Sequence, residues 1–232
     1  MKKSLKIIAA IAAVLLLFGL LTVALNRIFN DTGWLYKEYL SELDDQVRKE
    51  YGISAEDASR VLSRMMYYST GRADDLDVTI VENGEEVAFF NERELSHMRD
   101  VRALTKTILW IGALALLIGA AVPITLKLLK KNEALRTFCK AYLIALGVLL
   151  LIVLILGVWI AIDFDSFWTV FHIVFLDLES STFDPAESRM IRICPAELFS
   201  DFIGIFAFYA AALVLIAAAL CVVHLIRKGK KK

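Results

Sequence analysis

Four long apolar stretches constrain the fold of this 232-residue chain more than any other feature. They cover residues 7–25, 107–126, 141–162 and 202–223. About 20 apolar residues in a helix are enough to cross about 30 Å of hydrocarbon. Within lipid, a single segment satisfies its backbone hydrogen bonds internally as a helix. The sequence lacks the alternation of apolar and polar residues that is typical of a membrane β-barrel. The chain is therefore predicted to be an integral membrane protein with four transmembrane helices.

The four helices divide the chain into eight segments. Transmembrane helices are predicted at 1–28, 105–127, 140–162 and 202–226, joined by an extracytoplasmic cap at 29–104, a cytoplasmic loop at 128–139 and an extracytoplasmic interfacial loop at 163–201, with a basic cytoplasmic tail at 227–232. The first segment has the basic start of a signal peptide, but its apolar run exceeds the usual length of about 7–15 residues. We expect a retained anchor rather than a cleaved signal.

The distribution of charge predicts the orientation. Thirteen Lys and Arg residues and a single acid, Glu133, lie in the two chain ends and the loop between the second and third stretches. The other two loops hold the remaining 25 acids and 13 bases. Because basic flanks stay in the cytoplasm, both termini are predicted to be cytoplasmic and both large loops external. Trp110 and Trp159 fall near the outer helix ends, where interfacial aromatic residues are favoured.

Two helices are predicted in the first half of the cap. The first is indicated by apolar residues at helical spacing, namely Leu35, Leu40, Leu43 and Val47. The second begins after Ser54, whose hydroxyl can cap the helix near Asp57. Its apolar stripe, predicted to be core, comprises Ala58, Val61, Leu62 and Met65.

A hairpin and a third helix complete the cap. Residues 78–81 and 87–90 read as strands joined at Asn83-Gly84, because this dipeptide supplies the positive φ angles of a tight turn. The third helix starts at Asn91, with Glu94 as its capping partner, and continues unbroken into the second span. The fold class is thus an all-α membrane protein with a small α+β extracytoplasmic cap between spans 1 and 2.

The second outer loop begins with an aromatic segment that is too short to span a membrane. Its aromatic residues are Phe164, Phe167, Trp168, Phe171 and Phe175. Such a segment favours the membrane interface. Turns are predicted at Asp184-Pro185 and Cys194-Pro195.

Two of the three histidines are candidates for chemistry. His224 lies at the cytoplasmic end of the last span and is read as an interfacial residue. His97 and His172 lie in different outer loops at similar predicted depth, and imidazole titrates in the range that acid–base catalysis needs. Arg93, Glu94 and Asp100 share a helical face with His97. An ordinary solvated helix face is the alternative interpretation of that charged cluster.

Several other chemistries are disfavoured. The chain has no glycine-rich phosphate loop, no G-x-S-x-G elbow and no HExxH zinc helix. We expect no metal, no cofactor and no nucleic-acid partner. Cys194 is the only cysteine predicted outside, so no disulfide is expected there, and it is read as a small apolar residue rather than a nucleophile.

Two segments resemble the signatures of the bacterial lipoprotein intramolecular transacylases. The run FNERELSHMRDVR at residues 90–102 resembles the first signature. The second corresponds to Phe171-His172 with Phe175, then Asp184-Pro185, then residues 195–199 with Asp201. The chain departs from the family pattern at residues 177–181, and at Ser188, where an acid is expected.

The resemblance implies an enzyme that moves the sn-2 acyl chain of a diacylglyceryl-cysteine lipoprotein to its own α-amine, giving the lyso-form. It implies that His97 and His172 are catalytic, that Arg93, Glu94 and Asp100 support them, and that diacylglyceryl-modified lipoproteins and membrane lipid are the partners. Two alternatives stay open. One is a non-enzymatic membrane protein whose cap binds a partner or senses the envelope, and the other is a metal-dependent hydrolase.

Overall fold

The computed structural model describes residues 3–34, 52–82, 84–176, 183–184, 186–194 and 196–229. In chain order the elements are α1 (Lys3–Asn30), α2 (Ala55–Thr70), β1 (Thr79–Glu82), β2 (Glu85–Ala88), α3 (Glu92–Leu128), α4 (Asn132–Ile162), α5 (Phe164–Phe175), α6 (Arg189–Arg192) and α7 (Ala196–Gly229). The predicted helix around Leu35 to Val47 and the divergent residues 177–181 lie outside the described residues.

Four helices of the described chain are long and apolar enough to cross a membrane. They are Lys3–Asn30, Glu92–Leu128, Asn132–Ile162 and Asp201–Arg227. This confirms the four predicted spans. In α4, the apolar side chains of residues 151–158 are exposed all round the helix. A soluble protein rarely exposes so large an apolar surface, whereas lipid covers it at no cost.

The chain divides into two compact units. The first comprises Met1–Leu25, Ile108–Phe164 and Phe206–Lys232. Within it α1 and α3 pack backbone to backbone, since a Cβ atom added to Gly19 would lie 2.6 Å from the Cα atom of Leu116. Gly119 lies equally close to Leu16. Small residues at such contacts let membrane helices approach each other closely.

The second unit comprises Asn26–Thr107 and Asp165–Ile205, and it has its own apolar core. The core includes Ile53, Ala58, Val61, Leu62, Met65, Ile80, Phe89, Met98, Met190, Ile193 and Leu198. The predicted stripe of α2 is thus buried, as expected. The predicted cap of α2 is also confirmed, because Ser54 Oγ accepts a hydrogen bond from the Asp57 N–H at 3.0 Å.

The hairpin forms with its strands nearer the turn than predicted. β1 and β2 are antiparallel with Glu82 opposite Glu85. Gly84 has a φ of 90°, as the turn requires. The predicted second strand, 87–90, extended too far. Phe89 and Phe90 follow β2 with their rings buried in the core, and the Phe89 N–H still donates to the Val78 carbonyl oxygen at 2.9 Å.

The start of α3 follows the prediction closely. The Glu94 N–H donates to Asn91 Oδ1 at 2.9 Å, and the Asn91 N–H donates to Glu94 Oε2 at 2.8 Å. This reciprocal capping satisfies two N–H groups that the helix cannot pair internally. The helix then runs without interruption for 37 residues, with Pro123 inside it.

Candidate active site

His97 and His172 lie next to each other in the second unit. Their ring centroids are 6.0 Å apart and the rings are inclined by only 28°. His97 is 7% exposed and His172 is 5% exposed, so both imidazoles are buried. Two predicted site residues from separate loops therefore form one pair.

A backbone hydrogen bond orients His172. Its Nδ1 lies 2.7 Å from the carbonyl oxygen of Trp168, one turn earlier on α5. A carbonyl oxygen only accepts, so Nδ1 carries the proton. In the neutral ring this leaves the lone pair on Nε2, which makes Nε2 the atom that can accept a proton.

His97 is held in the neutral form. Burial, together with the neighbouring His172, lowers the pKa of His97 to about 4, although the Asp100 carboxylate partly opposes both effects. Within the part of the chain that the structure describes, His97 Nδ1 is buried without a hydrogen-bond partner. A buried polar atom of this kind is unusual and marks a place where a ligand group can pair.

Aromatic rings enclose the histidine pair. The Trp168 and Phe171 rings lie 4.6 Å and 5.6 Å from the His172 ring. The Phe183 ring meets the His97 ring edge-on at 5.4 Å, with the Arg93 guanidinium 5.5 Å from the centre of the Phe183 ring. Sequence reasoning gave no role to Phe183, whose one signal was its position directly before the predicted turn at Asp184.

Glu94 connects the start of α3 to α6. It is 1% exposed. Its Oε1 accepts hydrogen bonds from Ser188 Oγ at 2.6 Å and from the Met190 N–H at 2.9 Å, while its Oε2 accepts the Asn91 N–H. Ser188, where the chain departs from the family pattern, is thus a hydrogen-bond donor to the buried Glu94 carboxylate.

A second link fixes α6 to the hairpin. Arg189 donates to Glu82 Oε2 through Nε at 2.9 Å and Nη2 at 2.7 Å. Arg192 Nη1 donates to Glu82 Oε1 at 3.3 Å. A carboxylate shared by two partly buried guanidinium groups restrains geometry as well as charge. The segment after Phe183 is therefore tied to the cap at two points.

An open groove of about 500 Å³ adjoins the histidine pair. Its lining residues are Asp100, Ala103, Leu104, Thr107, Phe175 and Leu176. Asp100 follows His97 by three residues on α3, and Phe175 follows His172 by three residues on α5. The groove therefore begins one helical turn from each imidazole.

The Cys194 thiol is not activated as a nucleophile. Burial raises the pKa of Cys194 to about 12, with Glu94 adding to the effect, so the reactive thiolate is disfavoured. Among the described residues, no group of three or more His, Cys, Asp or Glu side chains could hold a metal ion.

Comparison with known proteins gives a family and a fold. The family model for the lipoprotein intramolecular transacylase Lit matches residues 10–199. The structure of the membrane integral lipoprotein intramolecular transacylase Lit from Bacillus cereus has a TM-score of 0.80 at 16% identity, covering 99% of this chain and 100% of that one.

Two further structures of the Bacillus cereus protein, with a histidine replaced by arginine or by alanine, each have a TM-score of 0.68 at 16% identity. They cover 99% of this chain and 94% and 96% of theirs. No curated protein sequence matches. At this identity the structural likeness concerns the fold, whereas the family model covers most of the chain. This four-span integral membrane protein therefore belongs to the lipoprotein intramolecular transacylase family.

Proposed function

We propose that the protein transfers the sn-2 acyl chain of a diacylglyceryl-cysteine lipoprotein to the α-amine of the same cysteine. The product is an N-acyl, S-monoacylglyceryl lipoprotein, the lyso-form. The observation that carries this proposal is the buried pair of His97 and His172, 6.0 Å apart in an aromatic enclosure. Family membership supports acyl transfer within one lipoprotein molecule.

His172 acts as the base that moves the proton. The neutral α-amine attacks the sn-2 ester carbon, and a C–N bond forms. His172 Nε2 takes the proton from the attacking nitrogen, and the C–O bond to the glyceryl oxygen breaks. His172 then gives its proton to that oxygen, so the ring returns to its starting state. The bond from Nδ1 to the Trp168 carbonyl supports this role, because it keeps the Nε2 lone pair available.

His97 acts as a neutral hydrogen-bond donor. Its lowered pKa keeps it uncharged at pH 7, so it supplies one N–H without giving up a proton. A donor beside the ester carbonyl stabilises the negative oxygen that develops during attack. The unpartnered Nδ1 agrees with a ring that completes its hydrogen bonding only when substrate is present.

Positioning removes the need for an acyl-enzyme. Amine and ester belong to one molecule, and holding them in contact can lower the barrier by about 7 kcal/mol or more. The aromatic enclosure limits water, which would otherwise hydrolyse the ester. The raised pKa of the Cys194 thiol agrees with direct transfer.

The three supporting residues have different parts in this proposal. Glu94 holds α6 through Ser188 and Met190. Arg93 packs against the Phe183 ring that covers His97. Asp100 contributes negative charge beside His97.

We further propose that both termini are cytoplasmic and that the histidine pair lies at the outer leaflet. The concentration of Lys and Arg in the ends and in residues 127–140 supports this orientation. Diacylglyceryl lipoproteins would then reach the site from the outer leaflet.

Mass spectrometry of lipoprotein N-termini tests the function. The chain is expressed in a host that makes only diacylglyceryl lipoproteins, as wild type, His97→Ala, His172→Ala and the control His224→Ala. We expect the wild type and the control to move one acyl chain from glycerol to the amine. Each site variant should lose activity by about 10²-fold or more at equal membrane levels.

Two outcomes would contradict the proposal. Lyso-lipoprotein formed equally by His97→Ala and His172→Ala would remove both histidines from the reaction. Unmodified termini with well-expressed wild type would instead favour a cap that binds a partner without chemistry.

A further inference from the structure

We propose that Asp100 binds the α-ammonium group of the lipoprotein's N-terminal cysteine before the amine is deprotonated. This inference rests on the proposed function and adds a substrate-binding residue to it. It assigns the groove beside the histidines to the charged end of the substrate and to the acyl chain that accompanies it.

The position of Asp100 is the first observation. Asp100 is exposed and lines the groove, while His97, three residues earlier on the same helix, is buried. One helical turn is about 5.4 Å long. The Asp100 carboxylate is therefore about one helical turn from His97 along α3, so an ammonium group bound to it is held near that imidazole.

The composition of the groove is the second observation. Besides Asp100 and Thr107, its lining side chains are apolar, and they include Leu104 on α3 and Phe175 on α5, the two helices that carry the histidines. A carboxylate beside apolar side chains in a groove of mixed polarity complements a ligand with a cationic head and a hydrocarbon chain. A diacylglyceryl cysteine with a free amine has both parts.

The buried imidazole is the third observation. His97 is more than nine-tenths buried, and its Nδ1 has no hydrogen-bond partner among the described residues. It lies beside Asp100 closely enough to respond electrostatically to the carboxylate. A ligand group brought to Asp100 is thus presented to an imidazole nitrogen that still needs a partner.

The chemistry of the amine explains why a carboxylate is useful here. A free α-amine has a pKa of about 7.7–8.0, so most of it is protonated at neutral pH. The reaction needs the neutral amine, but the charged form is the one that arrives. A carboxylate outside the buried pair captures the ammonium, which then loses its first proton to water, so that the neutral amine reaches His172 with the Nε2 lone pair still available.

Binding of a non-reacting analogue tests the inference. A lipopeptide with ether-linked chains in place of esters cannot transfer an acyl group. It is prepared with a free N-terminal amine and, separately, with an acetylated one. Binding of both is measured to the full-length wild type, Asp100→Asn, Asp100→Glu and Glu92→Gln, an exposed acid on the same helix.

We expect Asp100→Asn to weaken binding of the free-amine analogue about tenfold and to leave the acetylated analogue unchanged. Asp100→Glu should restore much of the loss, and Glu92→Gln should change neither affinity. Equal weakening of both analogues would show that Asp100 only shapes the groove. Unchanged binding of both, or no binding of the free-amine analogue to wild type, would also overturn the inference.

The design separates this inference from the proposed function. Turnover of the ester-linked lipopeptide by wild type is measured in parallel. Discrimination between the analogues without turnover would support the ammonium site and refute the acyl transfer. Turnover without discrimination would do the reverse.

Discussion

Replacing Glu94 by glutamine tests whether the buried carboxylate holds α6 in place. Glu94 accepts three hydrogen bonds, from Asn91, Ser188 and Met190. A bond to a charged group contributes about 1.5–3 kcal/mol, against about 0.5–1.5 kcal/mol for a neutral one. The amide oxygen of glutamine can keep Ser188 and Met190, each weakened by about 1 kcal/mol. The amide NH₂ then faces the Asn91 N–H, and a third bond of about 1.5 kcal/mol is lost.

The free energy of unfolding should therefore fall by about 3.5 kcal/mol. For a chain of this size that corresponds to a melting temperature lower by about 7–14 °C. The assay is thermal unfolding in detergent, with Glu92→Gln as the exposed control, which should stay within about 0.5 kcal/mol of wild type.

A double-mutant cycle with Ser188→Ala localises the effect. Ser188→Ala should cost about 2 kcal/mol in the wild type and about 1 kcal/mol beside Glu94→Gln, a coupling of about 1 kcal/mol. The reasoning fails if Glu94→Gln melts within about 1 °C of wild type. It also fails if Ser188→Ala costs the same in both backgrounds.

Two further predictions concern pH and helix packing. The pKa of His97 is lowered from 6.5 to about 4, so between these pH values the unfolded chain binds a proton that the folded chain does not. The free energy of unfolding therefore falls as the pH decreases from 6.5 to 4, by up to about 3 kcal/mol. Melting temperatures at several pH values should show this slope in wild type and a reduced slope in His97→Gln; equal slopes would refute it. In the membrane helices, Gly119→Leu should destabilise the protein by about 2 kcal/mol or more because α1 lies against it at Leu16, whereas Gly147→Leu, with nothing within 4 Å, should be tolerated. Equal melting temperatures for the two leucine variants would contradict this packing.

The features that the sequence predicted well are those with local causes. A run of about 20 apolar residues has one common structural solution, so the four spans followed directly. Ser54 and the pair of Asn91 and Glu94 cap helices through bonds that span three residues. The turn at Gly84 likewise depends on its own φ angle.

The features that could not be predicted depend on contacts between distant parts of the chain. Glu94 was expected to support His97, and its local spacing allowed that. Its bonds to Ser188 and Met190 arise only when α6 folds back onto α3. Phe183 likewise shows no periodicity, and its contact with His97 exists only in the folded unit. The bounds of the strands likewise depend on pairing between two segments, which extends to Glu82 opposite Glu85.

The hydrogen bond that orients His172 has an evolutionary consequence. Its acceptor is the backbone carbonyl of Trp168, which every amino acid provides. No substitution at position 168 removes the acceptor as long as the helix persists. The proton on His172 Nδ1 is therefore retained when the residue at position 168 changes. The side chains around it are then free to diverge with the lipids and peptides that each lineage encounters. A member with few identical residues can therefore retain an oriented imidazole.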